Sequence, residues 1–225
     1  MRGMTEDIDL PRGSTGEKLC RHEKLERLRR QIVSCQKCRL ARTRKHAVPG
    51  EGTPNASLML IGEAPGRTED LQGKPFVGQA GRFLDSLLEA AEVKRDEVFI
   101  GNILKCRPTS PSGRDRRPAK EEVTVCTPYL DQQIEAIEPK FILTLGDTAT
   151  RYVFKKYGLE QEGISRIHGS VFNAGPLKIV PMYHPAAALY RKDLEEVIRE
   201  DFRRLGDQLK VPNPNMESLI GQAEC

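Results

Sequence analysis

The sequence predicts an α/β fold with three layers, α/β/α, around a short, mostly parallel sheet of four strands. Strand-sized apolar runs, such as residues 57–61 and 141–145, alternate along the chain with segments of helical periodicity. This alternation is typical of a parallel sheet with helices on both faces. The chain length of 225 residues is sufficient for one such domain with its own core.

Apolar periodicity and helix-start or turn signals place the individual elements. Leu25, Leu28 and Ile32 share one face of the first helix, and Pro118 stands just before the start of a long one. In chain order the sequence predicts a helix over 22–32, a strand over 57–61, a helix ending near Val93, a strand over 98–100, a helix over 119–137, a strand over 141–145, a helix over 147–157, a hairpin over 169–182 and a helix over 193–209.

The two ends of the chain lack periodicity and carry scattered Gly, Pro and charged residues. We therefore expect a flexible tail over 1–21, a single domain over 22–209 and a second tail over 210–225. No apolar run is long enough to cross a membrane, and the N-terminal region has charges where a signal peptide has an apolar stretch. The expected location is the cytoplasm, with no membrane partner.

Unusual polar segments follow the four predicted core strands. They are Gly62-Glu63-Ala64-Pro65-Gly66, Gly101-Asn102, Gly146-Asp147-Thr148 and Tyr183-His184-Pro185. The carboxyl ends of parallel strands share one edge of a sheet, and ligands bind in the crevice there. Each residue alone has an ordinary structural interpretation, as a turn cap, a loop holder or a packed histidine. Their shared placement favours a site built from Glu63, Asn102 and His184.

Four of the six cysteines form a candidate metal site. Cys35 and Cys38 are a C-x-x-C pair, Cys106 follows the second strand and Cys126 lies in the next helix, while Cys20 and Cys225 fall in the predicted tails. In a reducing compartment, metal ligation is favoured over disulfides. The spacing is compatible with zinc or with an iron–sulfur cluster, and the alternative is a redox pair with two buried thiols.

A segment rich in Pro and Gly carries a cluster of basic residues, Arg107, Arg114, Arg116, Arg117 and Lys120. Such a loop suits a phosphate backbone, or it is simply a solvated loop. A P-loop is excluded, because the distance from Gly66 to Gly73-Lys74 is too long and Pro75 stands where Ser or Thr is needed.

Taken together, these motifs resemble those of the family 4 uracil-DNA glycosylases, from about Cys35 to Leu205. The matching segments are Gly62–Gly66, Gly73–Gly78, Gly101–Pro108, Tyr183–Pro185 and the four cysteines. The resemblance implies the glycosylase fold and a [4Fe-4S] cluster held by Cys35, Cys38, Cys106 and Cys126.

The resemblance also implies roles for single residues. Phe76 stacks on the extruded uracil, Asn102 reads its Watson–Crick edge and His184 holds uracil O2. Glu63 assists hydrolysis, and Glu69 lies against uracil C5, where it excludes the methyl group of thymine. The implied substrate-binding set is Gly62, Glu69, Phe76 and Asn102, and the implied catalytic set is Glu63 and His184.

The expected function is therefore a monofunctional DNA repair glycosylase. It would hydrolyse the N-glycosidic bond of uracil in single- or double-stranded DNA and act as a monomer at the nucleoid. The alternatives are a protein that cross-links to the abasic site and a non-catalytic iron–sulfur DNA-binding module. Ala64 stands where better-known glycosylases carry a catalytic Asp, so Glu63 is the candidate. The residue that wedges the DNA is left open between Ala188, Leu189 and Tyr190.

Overall fold

The computed structural model describes residues 19–210 of the chain. Its six strands are β1 (Glu51–Gly52), β2 (Leu58–Gly62), β3 (Phe99–Asn102), β4 (Phe141–Leu145), β5 (Phe172–Ala174) and β6 (Leu177–Met182). They form one sheet in the order β1-β3-β2-β4-β6-β5. The neighbours among β3, β2, β4 and β6 are parallel, whereas β1 and β5 pair antiparallel at the two edges.

The expected sheet of four strands is therefore wrong in its strand number and in its mostly parallel character. The four expected strands form its parallel centre, and their apolar runs are almost entirely buried. The missed edge strands have no such run, because β1 is two exposed residues and β5 is a short arm of the predicted hairpin. Edge strands are buried less and carry a weaker hydrophobic signal.

Eight helices surround the sheet in the described part of the chain. They are α1 (Arg21–Val33), α2 (Arg67–Gln72), α3 (Gln79–Ala90), α4 (Lys120–Ile137), α5 (Asp147–Tyr157), α6 (Ile164–Ile167), α7 (Ala187–Tyr190) and α8 (Asp193–Lys210). The short helices α2, α6 and α7 were not predicted, and α2 buries only Asp70, so it shows no apolar face. No helix over residues 19–210 is long and apolar enough to span a membrane. The expected tails lie almost wholly outside the described residues.

Alternating side chains of the strands pack against helices on opposite faces of the sheet. Leu58 and Leu60 of β2 face the side covered by α3 and α8. Met59 and Ile61 face the side covered by α4 and α5. A third apolar cluster joins α1 to α4 beyond the sheet and contains Cys106 and Cys126. The parallel centre brings the carboxyl ends of β2, β3, β4 and β6 to one edge.

Candidate active site

Two site residues meet where β2 and β3 end. Gly62 and Asn102 are register partners, although the sequence placed both just beyond their strands. The chain after β3 is bonded to the chain after β2, because the Ile103 N–H donates to Gly62 O and the Leu104 N–H donates to Glu63 O, both at 3.0 Å. These bonds fix the position of Asn102 relative to Glu63.

The Asn102 side chain is enclosed and carries an unused acceptor. The residue is 2% exposed, and its Oδ1 has no hydrogen-bond partner among the described residues. Buried side-chain oxygens are normally bonded, so this atom is a candidate ligand contact. A Cβ on Gly62 would lie 2.4 Å from Asn102 Oδ1 and 2.8 Å from Phe76 Cζ. Only glycine therefore fits between the two side chains.

Phe76 is held in an unfavourable backbone conformation beside Asn102. Its φ angle is +49°, in the left-handed region that bulky residues avoid. Two features impose it. A Cβ on Gly81 would lie 1.9 Å from Phe76 O, and Arg95 Nη2 donates to Pro75 O at 2.8 Å and to Phe76 O at 3.3 Å. Strain of this kind tends to occur at functional sites.

His184 follows β6 and stacks on Phe76, with ring centroids 5.6 Å apart and an interplanar angle of 26°. The Ala186 N–H donates to His184 Nδ1 at 3.1 Å, so the proton of the neutral ring lies on Nε2. Burial lowers the pKa of His184 to about 4, and the Glu69 carboxylate opposes the shift only in part. At neutral pH the ring is thus an uncharged donor through Nε2.

Two carboxylates flank this group. Glu63 Oε2 accepts a short hydrogen bond from the Thr148 hydroxyl at the start of α5. Glu69 Oε1 accepts the N–H groups of Val77 and Gly78, at 3.0 and 2.8 Å. Glu69 lies in α2, so these bonds anchor the loop between Phe76 and α3 to that helix. No role was predicted for Thr148 itself, and the only signal for it in the sequence is its place in the polar segment after β4.

The structure thus brings four of the predicted residues together through direct contacts: Gly62, Phe76, Asn102 and His184. Glu69 is close enough to His184 to oppose the lowering of its pKa. Glu63 is adjacent to Gly62 in the chain and is oriented by Thr148. The arrangement combines an apolar ring, an amide acceptor and an imidazole donor. The substrate roles of these side chains stay predictions.

The chain matches the family model of the uracil DNA glycosylase superfamily over residues 49–206. A type-4 uracil-DNA glycosylase of Saccharolobus solfataricus is 46% identical, covering 88% of this chain and 92% of that protein. Those of Sulfurisphaera tokodaii and Archaeoglobus fulgidus are 43% and 42% identical, covering 84% and 86% of this chain and 87% and 98% of the relatives. The chain belongs to the type-4 uracil-DNA glycosylases. Its predicted family is therefore confirmed.

The cysteines of this type-4 chain gather at one place. Cys35 and Cys38 follow α1, Cys106 follows β3, and Cys126 lies in α4; all four line one pocket. Arg44 Nη1 donates to Cys106 Sγ at 3.1 Å, and the Lys105 N–H donates to Cys126 Sγ at 3.2 Å. Burial raises the pKa of the Cys106 thiol to about 11, against the opposing effect of Arg44.

The four thiols of this pocket fit the donor set of a [4Fe-4S] cluster, which takes one thiolate at each iron. The N–H groups of Arg44 and Lys105 fit thiolate sulfur, which such a cluster presents.

Two of the basic side chains in the loop after Cys106 form ion pairs with carboxylates of the same chain. Arg107 pairs with Asp115, and Arg116 Nη1 donates to Glu122 at 2.9 Å. The Arg116 hydrogen bond is the main reason that the pKa of Glu122 is lowered to about 2. Among the described residues, no carboxylate forms an ion pair with the remaining basic side chains of the loop, which are Arg114, Arg117 and Lys120.

Proposed function

We propose that this chain is a monofunctional glycosylase that hydrolyses the N-glycosidic bond of uracil in single- or double-stranded DNA, releasing uracil and leaving an abasic site. One observation carries the proposal. The buried Asn102 Oδ1 has no partner among the described residues and lies near the Phe76 ring, on which the neutral imidazole of His184 stacks. That is the donor and acceptor pattern that a flipped uracil requires.

Recognition follows from the polarity of Asn102. A base inside a duplex is out of reach, so it must rotate into the pocket, where the face of Phe76 recovers about 1–3 kcal/mol of stacking. Uracil presents an N3–H donor beside the O4 acceptor, and cytosine presents the reverse. With Oδ1 accepting from N3–H and the amide nitrogen donating to O4, Asn102 accepts uracil and leaves cytosine with two mismatched contacts.

Bond cleavage separates charge, leaving negative charge on uracil and positive charge on the sugar. The Nε2–H of His184 donates to uracil O2 as its charge develops, and it does so from an uncharged ring. Glu63, oriented by Thr148, stabilises the sugar cation and assists the attacking water. Glu69 lies against uracil C5, where its bulk meets the methyl group of thymine.

Other parts of the chain hold this site in place. Cys35, Cys38, Cys106 and Cys126 would bind a [4Fe-4S] cluster, which supplies a structural cross-link between α1, α4 and the chain after β3. Arg114, Arg117 and Lys120 would contact DNA phosphates, because their charges are not used in ion pairs among the described residues.

An abasic-site assay tests the proposal. End-labelled single and double strands with one uracil are incubated with the protein, and abasic sites are detected by cleavage in hot alkali. We expect catalytic turnover and free uracil, and no cleavage of matched thymine strands. Absence of abasic sites overturns the proposal. A protein–DNA adduct that survives denaturing electrophoresis, with no turnover, would identify the cross-linking alternative instead.

A further inference from the structure

Lys105 is a cationic side chain with no place in the chemistry described above. It is 1% exposed and is among the largest fully buried side chains. Burying an ammonium group is costly unless its hydrogen bonds are satisfied, and an apolar side chain of similar size is often as stable or more so. Its presence in the interior therefore calls for a role that packing alone does not supply.

The contacts of the ammonium group lead to the uracil pocket. Lys105 Nζ donates to Asn102 O at 2.8 Å and to Gln133 Oε1 at 2.7 Å. Gln133 is itself fixed, since its Nε2 donates to Pro49 O at 2.7 Å. Lys105 thus links the main chain of Asn102 to α4 and to the segment before β1.

The main chain of the same residue points the other way, towards the cysteines. The Lys105 N–H donates to Cys126 Sγ, and Lys105 O accepts the Val48 N–H at 2.7 Å. Nζ is therefore not hydrogen-bonded to a cysteine. Burial raises the pKa of the Cys126 thiol, and the charge of Nζ opposes this larger effect through space. That does not explain why Nζ is bonded to Asn102 O and Gln133 Oε1.

We propose that Lys105 is a positioning residue for uracil recognition, which fixes the Asn102 carbonyl and through it the side-chain amide. The inference rests on the proposed function of the site. Asn102 Oδ1 has no described protein partner that would hold the amide before the base arrives. The position of its main chain therefore helps to set where the enclosed amide lies. A charge-assisted hydrogen bond to that main chain is a strong restraint.

Lys105→Met is the direct test, because methionine replaces the apolar stem as far as Cε and removes the ammonium donor. Inhibition of excision by free uracil is measured beside affinity for duplex containing a tetrahydrofuran abasic analogue, which lacks a base. We expect uracil inhibition to weaken about tenfold or more, while affinity for the analogue changes less than about twofold. The visible absorbance of the cluster is expected to stay at the wild-type level.

Three outcomes would overturn the proposal: uracil inhibition equal to wild type, an equal loss of affinity for uracil and the abasic analogue, or loss of cluster absorbance with uracil inhibition retained. Gln133→Leu removes the second acceptor of Nζ, and we expect a smaller loss of the same selective kind. If Lys105→Met does not fold, the Gln133→Leu variant tests the proposal in its place. A wild-type protein that excises no uracil contradicts the proposed function instead, so the two failures are distinguishable.

Discussion

At the scale of single residues, the structure holds His184 as a neutral imidazole. Its Nδ1 is occupied by the Ala186 N–H, and burial lowers its pKa to about 4. Protonation would add a proton at Nδ1 and break that contact. The active form is therefore the deprotonated one, and acid inactivation is displaced downward from the ordinary histidine pKa of about 6.5.

This displacement predicts the pH dependence of excision. Only about one per cent of His184 is protonated at pH 6 if its pKa is about 4. We expect the single-turnover rate to stay within about twofold between pH 8 and pH 5.5, measured with cluster absorbance followed as a control. A one-proton loss of rate centred near pH 6.5 would contradict the neutral-donor assignment.

Glu69 has a second role that the sequence did not suggest. Besides its expected place near uracil C5, it accepts two N–H groups that anchor the loop after Phe76. We predict that Glu69→Ala excises thymine from a G·T pair and loses part of its uracil rate. Glu69→Gln keeps the bulk and the acceptor oxygen, so thymine should remain excluded. Exclusion of thymine by both variants would remove Glu69 from the base-selecting set.

The sequence predicted the residues that are proposed to act on the base, but not the residues that hold them in position. Asn102 and His184 stand in short motifs at strand ends, so local pattern and topology place them near one another. Lys105, Arg95 and Thr148 each form a hydrogen bond to a residue that is distant in sequence, and periodicity carries no signal for such bonds. A buried lysine in particular reads from sequence as a surface residue.

At the scale of elements, some strands could be predicted from their own residues and others could not. The buried runs of β2, β3, β4 and β6 could be predicted because they are apolar on both faces. The edge strands β1 and β5 and the polar helix α2 have too few buried residues to give a pattern. The missed elements are therefore those whose conformation depends on neighbours rather than on their own hydrophobicity.

The exposure of the side chains in helix α7 distinguishes among the three residues considered as the DNA wedge. Ala188 is 3% exposed and packs in the core, whereas Tyr190 is 88% exposed at the end of the helix that follows His184. An exposed ring so close to the pocket is the candidate that fills the space left by a flipped base. Leu189 is only partly exposed and serves as the matched comparison.

We predict that Tyr190→Ala lowers uracil excision from duplex DNA about tenfold and from single strands less than about twofold. Only the duplex requires unstacking and unpairing, which cost a few kcal/mol. Paired single-turnover assays on both substrates measure the difference. A selective duplex defect in Leu189→Ala, with Tyr190→Ala behaving as wild type, would transfer the wedge to Leu189.

At the scale of the whole molecule, the cysteines connect distant parts of the chain. Cys35 and Cys38 lie beyond α1, while Cys106 and Cys126 belong to the chain after β3 and to α4. The pocket that they line is separated from Asn102 by only the loop containing Lys105. Loss of the cross-link would therefore loosen the base-reading loop as well as α1.

We predict that the purified protein is brown and holds about four irons per chain with broad visible absorbance. Cys126→Ser should lose that absorbance and unfold at a lower temperature, as measured by thermal denaturation. Cys20→Ser, at a cysteine outside the proposed ligand set, is the control for iron content and should retain its iron. Stoichiometric zinc in a colourless wild-type sample would contradict the cluster assignment.

In the proposed mechanism His184 stabilises the negative charge that develops as uracil leaves, and a His184→Ala variant distinguishes this role from one in binding. The variant is mixed in excess with uracil-containing DNA, and the dependence of the single-turnover rate on protein concentration separates binding from cleavage. His22→Ala, an exposed histidine on α1, is the control. We expect the maximal single-turnover rate to fall by about 10²–10³, while the protein concentration that gives half of this rate stays nearly unchanged. Weak binding with full cleavage at saturation would contradict it and make His184 a docking residue.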